Sequence, residues 1–153
     1  MTATTVTHMR GILDTSTVIM LPRIANPASL PAEPLITAIT LAELTVGPLV
    51  ATDDVERAAR QAHVQQAEAD FDPLPFDAAA ARMFGRVAAS LRKAGRKPAA
   101  RAYDAMIAAI ALAHNLPVYT CNPVDFTGID GLTVVPVAVP ESSGRGQAPP
   151  TSF

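Results

Sequence analysis

The sequence predicts an α/β domain built on a mostly parallel sheet. Short apolar runs recur along the chain: "GIL" before Asp14, "LITAI" from Leu35, "LPVYTC" from Leu116 and "LTVVPV" from Leu132. Between them lie segments with helical periodicity and helix-capping residues, and strands that alternate with helices imply a parallel sheet covered by helices. With 153 residues, the chain is sized for one domain around one core.

Taken in order, "GILDTS" reads as a buried strand whose end meets a helix start at Asp14 and two hydroxyl residues. "TVIMLP" continues as a short helix, stopped at Pro22, and the proline-rich stretch from Arg23 to Pro34 reads as a surface loop. After "LITAI", a helix is expected from Thr40, with Thr40 and Glu43 forming a capping box and Gly47-Pro48 ending it. From Asp53 to about Ala69 the pattern is that of a solvent-facing amphipathic helix, with Val55, Ala58, Ala59, Ala62 and Val64 as its inner stripe.

"FDPLPFD" is a brief extended piece, and Asp77 caps a helix that runs to Lys93 and closes at Gly95. A last helix spans about Ala99 to His114, with Tyr103, Met106, Ile107, Ile110 and His114 as its core stripe. "LPVYTC" is a buried strand, "NPVDFTGIDG" a loop and "LTVVPV" the final strand. The domain is expected over 10–138. Residues 139–153, rich in Pro, Gly and Ser, read as a disordered tail.

Composition narrows the function classes. Hydrophobic residues make up 49% and charged residues 17%, yet no apolar run reaches the roughly 18 to 20 residues that span a bilayer. "MTATTVTHMR" lacks the features of a signal peptide, so a cytoplasmic protein without a membrane role is expected. The single Cys121 excludes an internal disulfide or a multi-cysteine zinc site and reads as a small buried residue at a strand end. His8, His63 and His114 show no zinc-ligand spacing. A net charge of −2 argues against a general polyanion binder. However, Arg92, Lys93, Arg96, Lys97 and Arg101 fall within ten positions. Arg92 and Lys93 suit a helix C-terminus, whereas Arg96, Lys97 and Arg101 follow the break at Gly95 and Pro98 and are candidates for phosphate contacts.

The acids are the chemical signal. Taken singly, Asp14 is an N-cap and Glu43 a capping-box member. Asp104 has no such excuse. It lies about 100° around the helix from Tyr103 but within about 40° of Ala100, Ala108 and Ala111, on a strip of small residues at the edge of the buried face. An ionised carboxylate there needs compensation, either from Arg101 in the preceding turn or from a metal. Asn122 and Asp125 follow the strand "LPVYT" at the same sheet end as Asp14, where parallel sheets bind ligands. Converging carboxylates raise one another's pKa values unless a counter-ion is present. Mg²⁺ or Mn²⁺ suits such an oxygen-only set.

"LDTSTVI", "ITAITLAELTVG", "LPFDAAAARMFGRVAASLRKAG", "YDAMIAAIALAHNLPVYTCNPVDF" and "GLTVVPV" together resemble, in order, the PIN-domain family from about Gly11 to Val137. Within it they are most similar to the VapC-type toxins of bacterial toxin–antitoxin pairs. The resemblance implies a three-layer fold with about five parallel strands and a Mg²⁺-dependent endoribonuclease in which Mn²⁺ substitutes. It implies catalytic acids at Asp14, Glu43, Asp104 and Asp125, with Asp14 and Asp104 as metal ligands and Thr15, Ser16 and Asn122 in support; beside it, the basic run from Arg92 to Arg101 leads directly into Asp104 and is read as holding the RNA backbone. The fourth acidic position falls at Asn122 or Asp125, and where the family carries an arginine after the threonine this chain has Cys121. The implied partners are an RNA substrate, a cognate VapB-type antitoxin and, in keeping with the apolar composition, a second copy in a homodimer.

Two other readings stand beside this one. A catalytically silent PIN-like module that binds RNA or protein would not need the intact set of acids. A phosphotransfer enzyme with an aspartyl nucleophile at Asp14 would need an acid two positions later, where Ser16 stands, or paired acids near the N-terminus.

Overall fold

The computed structural model describes residues 8–140. Most of the expected tail, residues 141–153, lies outside them. The chain enters on β1 (Arg10–Leu13), exposed at Arg10 and buried thereafter. Strand β2 (Glu33–Leu35) pairs on one side of it and β3 (Val118–Thr120) on the other, with β4 (Val134–Pro136) beyond β3. All pairings are parallel, in the order β2-β1-β3-β4.

Four strands stand where about five were expected. The fifth extended piece, "FDPLPFD", contributes only an isolated parallel bridge between Thr37 and Leu74. Leu74 donates its N–H to the Ile36 carbonyl (3.0 Å) and accepts from the Ala38 N–H (2.8 Å). The partner turns into a helix at Ala38, which ends the pairing. On the outer side Pro73 and Pro75 offer no N–H to a further strand.

Alternating side chains divide the core into two layers. Ile12 and Val118 face α4 (Ala78–Lys93) and α5 (Ala102–Ala113), joining Val87, Leu91, Ile107, Ile110 and Phe126. Leu13 and Tyr119 face the other way, toward α1 (Thr15–Met20), α2 (Ala38–Val50) and α3 (Asp54–Asp70), with Val18, Leu44 and Val64. The result is the three-layer arrangement expected. Each fully buried aliphatic side chain contributes about 1.5–3 kcal/mol relative to exposure. The sheet tolerates one close approach: a Cβ at Gly11 would lie 2.5 Å from the Tyr119 ring. No helix among the described residues is long and apolar enough to cross a membrane.

Several local expectations need correction. The strand read from "LITAI" ends at Leu35, and α2 begins at Ala38, capped by Thr37, whose hydroxyl accepts the Thr40 N–H at 3.3 Å. The Thr40–Glu43 capping box is therefore not formed, and Glu43 is left for other work. Pro48 lies inside α2, which runs on to Val50. The stretch from Arg23 to Pro34 includes a 3-10 turn at Pro27–Ser29 and the start of β2.

On α3 the inner face is not the stripe of small residues. Val55 is 82% exposed, and Ala58, Ala59 and Ala62 are exposed too. Val64 and Ala67 are buried, and Arg60, paired with Glu56, donates to the Gly47 carbonyl of α2 at 2.9 Å. A guanidinium on a carbonyl, with its stem across a glycine, replaces the apolar contact.

The last helix begins as a 3-10 turn, Pro98–Arg101, and α5 proper starts at Ala102. Asp104 thus occupies the first turn rather than the middle of the helix. The core face consists of Ala105 and Ile107 to Ala111, while Tyr103 and His114 are exposed. The loop after β3 contains a 3-10 turn, Pro123–Phe126.

The strand order explains where function should sit. From β1 the chain moves outward to β2, then returns across β1 to continue on its far side with β3. The direction of winding reverses between β1 and β3, and a crevice opens at their carboxyl ends. Asp14 follows β1 directly, and Asn122 and Asp125 follow β3.

Candidate active site

Asp14 leaves β1 in extended conformation and caps α1. Its Oδ1 accepts the Thr17 N–H (3.0 Å) and the Thr17 hydroxyl (2.7 Å). The Thr120 hydroxyl donates to Oδ2 at 2.6 Å, and the Ser16 hydroxyl lies 2.9 and 3.0 Å from the two oxygens. These partners are all donors, which suits an ionised carboxylate. Burial at 3% exposure nevertheless outweighs them and raises the pKa of Asp14. Asp14 is therefore both the expected helix cap and a buried acid.

Thr17 and Thr120 carry no signal of their own in the sequence. Pairing of Leu13 with Tyr119 places Thr120 beside Asp14, across 106 positions of sequence. Thr120 also accepts the Asn122 N–H at 3.0 Å. Asn122 thereby supports the site through its backbone, with its side chain exposed.

Glu43 stands on α2, facing α1. The Thr15 hydroxyl donates to its Oε1 at 2.8 Å and lies 3.1 Å from the Thr40 hydroxyl. Burial raises the Glu43 pKa, and the charge of Asp14 adds to the rise. Asp104 approaches from α5, half-buried. Its carboxyl is pushed up to about 7, chiefly by burial and then by Asp125, Asp14 and Glu43; Arg101 works in the opposite direction. Three helices and the loop after β3 thus bring four carboxylates into one electrostatically coupled group. Among the described residues, no three His, Cys, Asp or Glu side chains stand close enough together to hold a metal ion jointly.

Asp125 forms an ion pair with Arg101, so the arginine offered as partner to Asp104 is bonded instead to the loop acid. The basic run does not act as one patch. Arg96 donates to the carbonyls of Val124 (2.9 Å) and Thr127 (2.8 Å) and ties down the loop that carries Asp125. Arg92, Lys93 and Lys97 remain exposed. Cys121 is a free, half-buried thiol beside Thr17, and burial raises its pKa.

A parallel sheet between two helical layers, with acids gathered where the strand order reverses, defines an α/β protein with an acidic crevice at the carboxyl ends of its strands. A PIN domain model matches residues 12–131, and the chain belongs to that family. It is 39% identical over 133 residues to Ribonuclease VapC5 of Mycobacterium tuberculosis, covering 86% of this chain and 96% of the relative. Among solved structures it is similar to VapBC-5 from M. tuberculosis, a member of the VapBC family of toxin–antitoxin systems. That match has 38% identity and a TM-score of 0.73, over 84% of this chain and 99% of the other. VapBC-1 from nontypeable Haemophilus influenzae matches at 26% identity and a TM-score of 0.67, over 84% and 98%. FitAcB from Neisseria gonorrhoeae matches at 27% identity and a TM-score of 0.62, over 82% and 96%.

Proposed function

We propose that the chain is a divalent-metal-dependent endoribonuclease, the toxin of a toxin–antitoxin pair, held inactive by a cognate VapB-type antitoxin. The observation that carries this reading is the coupled group of Asp14, Glu43, Asp104 and Asp125, of which, among the described residues, only Asp125 has an ion-pair partner, Arg101. The donor set fits a hard cation. Every ligand offered is a carboxylate oxygen, and a cation beside Asp104 would offset both the burial that chiefly raises its pKa to about 7 and the repulsion of Asp125, Asp14 and Glu43 that adds to it. Mg²⁺ needs only one or two protein carboxylates and completes its shell with water, so a set of three converged side chains is not required.

Asp14 and Asp104 are the residues to hold Mg²⁺, or Mn²⁺ in its place. The bound ion supplies Lewis acidity toward a phosphate oxygen and lowers the pKa of water. Each of the other roles belongs to a side chain of this protein. Glu43, its pKa raised and its Oε1 fixed by Thr15, accepts the proton of the water that attacks phosphorus in line. Ser16, Thr17 and Thr120 keep the Asp14 carboxylate oriented. Asp125 extends the acidic wall on the β3 side. Arg92, Lys93 and Lys97 hold the RNA backbone and set position more than sequence. Attack by water needs no 2′-hydroxyl, so products carry 5′-phosphate and 3′-hydroxyl ends.

The similarity to proteins named VapBC supports the antitoxin reading, and a homodimer suits the exposed apolar side chains of Val46, Leu49, Val50 and Val55. The test is end-group chemistry. RNAs cut by the purified chain with Mn²⁺ should be ligatable through a 5′-phosphate. Cyclic-phosphate and 5′-hydroxyl ends would remove water, and Glu43 as its base, from the scheme.

A further inference from the structure

We propose that Arg101 is the built-in counter-cation of the acidic cleft and competes with divalent metal for it. This rests on the metal-dependent reading above and adds a regulator to it. Of the four acids, Asp14 is stabilised by hydroxyls and a backbone N–H, Glu43 by Thr15, and Asp125 by Arg101. Among the described residues Asp104 takes no hydrogen bond and no ion pair; its one favourable partner is the field of Arg101. The guanidinium thus serves two carboxylates, bonded to Asp125 and attractive to Asp104.

The placement of Arg101 is otherwise unfavourable. It stands at the N-cap of α5, makes no cap hydrogen bond there, and puts a cation at the positive end of the helix dipole. Pro98 starts the 3-10 turn that delivers it, and Arg96 anchors the opposing loop through two carbonyls so that Asp125 meets it. The neighbouring carboxylates are what offset that position. The charge of Arg101 would therefore oppose a divalent ion held at Asp104. Arg101 is a positioning residue under this scheme, acting through Asp104 and Asp125.

The experiment is calorimetric titration of Mn²⁺ into the metal-free full-length chain and into Arg101→Gln and Arg101→Lys, with circular dichroism to check folding. Loss of one unit charge a few ångströms from the site should tighten Mn²⁺ binding of Arg101→Gln about tenfold. Arg101→Lys, which keeps the charge, should stay within about threefold of the wild type. Equal or weaker binding by Arg101→Gln would overturn the proposal and make Arg101 an organiser of the loop. A loss of affinity in both variants would do the same. No Mn²⁺ binding by any of the three proteins would instead remove the metal-dependent reading itself, and the proposal with it.

Discussion

Replacing Asp104 by asparagine should stabilise the metal-free protein, a result opposite to that of most substitutions at a partly buried polar site. The carboxyl of Asp104 is carried from an ordinary 3.8 to about 7 in the folded state. A group that holds its proton more tightly when folded contributes stability that is complete below about pH 4 and is lost as pH rises toward 7. At about 1.4 kcal/mol for each tenfold change in protonation, the ionised carboxylate costs the native state at most about 4 kcal/mol above pH 7. Asp104 is only partly buried, and solvent screening reduces this to about 2 kcal/mol.

An asparagine side chain at this position would escape that penalty at nearly unchanged volume. In EDTA at pH 8, Asp104→Asn should melt about 4–8 °C above the wild type, since 1 kcal/mol is about 2–4 °C for a domain of this size. The gap should shrink as pH falls toward 4. Comparing variant with wild type at each pH removes the contributions common to both proteins and reads Asp104 together with its coupling to Asp125, Asp14 and Glu43. With Mn²⁺ the order should reverse: the wild type gains and the variant does not. A variant that melts several degrees lower in EDTA and keeps a normal Mn²⁺ response would refute this reasoning and make Asp104 a structural residue.

Other expectations follow from the same geometry. Thr120→Val removes the 2.6 Å donor to buried Asp14 and leaves the Asn122 N–H without its acceptor. Urea unfolding at pH 7 should show a loss of about 2–4 kcal/mol, restored mostly by Thr120→Ser. Gly11→Ala drives a methyl into the Tyr119 ring and against Pro31, and should cost about 1–3 kcal/mol by thermal melting. Joint replacement of Arg92, Lys93 and Lys97 by glutamine should weaken RNA binding and lower the log–log salt slope by about 2. Binding isotherms at several salt concentrations measure that, and an unchanged slope would take these residues off the RNA.

Sequence-local signals make much of this legible. Asp77 caps α4 as expected, because a helix start needs only a carboxylate, a turn and an apolar periodicity downstream. Asp14 and Asp104 stand out because each breaks or ends an apolar run. Glu43 stands out for the wrong reason: the cap belongs to Thr37, and what holds Glu43 is Thr15, on another helix. Thr120 and Thr17 are not legible. Thr120 reaches Asp14 only through the register of β1 against β3, which no local pattern encodes, and Thr17 is hidden because the cap pattern marks Asp14 and not the hydroxyl three positions on that donates to it.

The basic run misleads in a similar way. Five cations in ten positions look alike in sequence, yet Arg96 and Arg101 turn inward to a loop more than twenty residues further along, and Arg92, Lys93 and Lys97 do not. The inner face of α3 escapes a reading by periodicity because it packs through the stem of Arg60 against Gly47, a contact that a hydrophobic pattern does not register.

The central claim is that the coupled acids form a cation-dependent nuclease centre. Its most direct test is cleavage of a mixed set of structured and single-stranded RNAs, including tRNA and rRNA, by purified chain freed of any bound partner. Wild type and Asp104→Asn would be assayed side by side across a Mn²⁺ titration with an EDTA control. The account predicts cutting by the wild type that rises with Mn²⁺, stops in EDTA and is absent from the variant at every concentration. Cutting by the variant at the wild-type rate, or cutting that EDTA leaves intact, would contradict it.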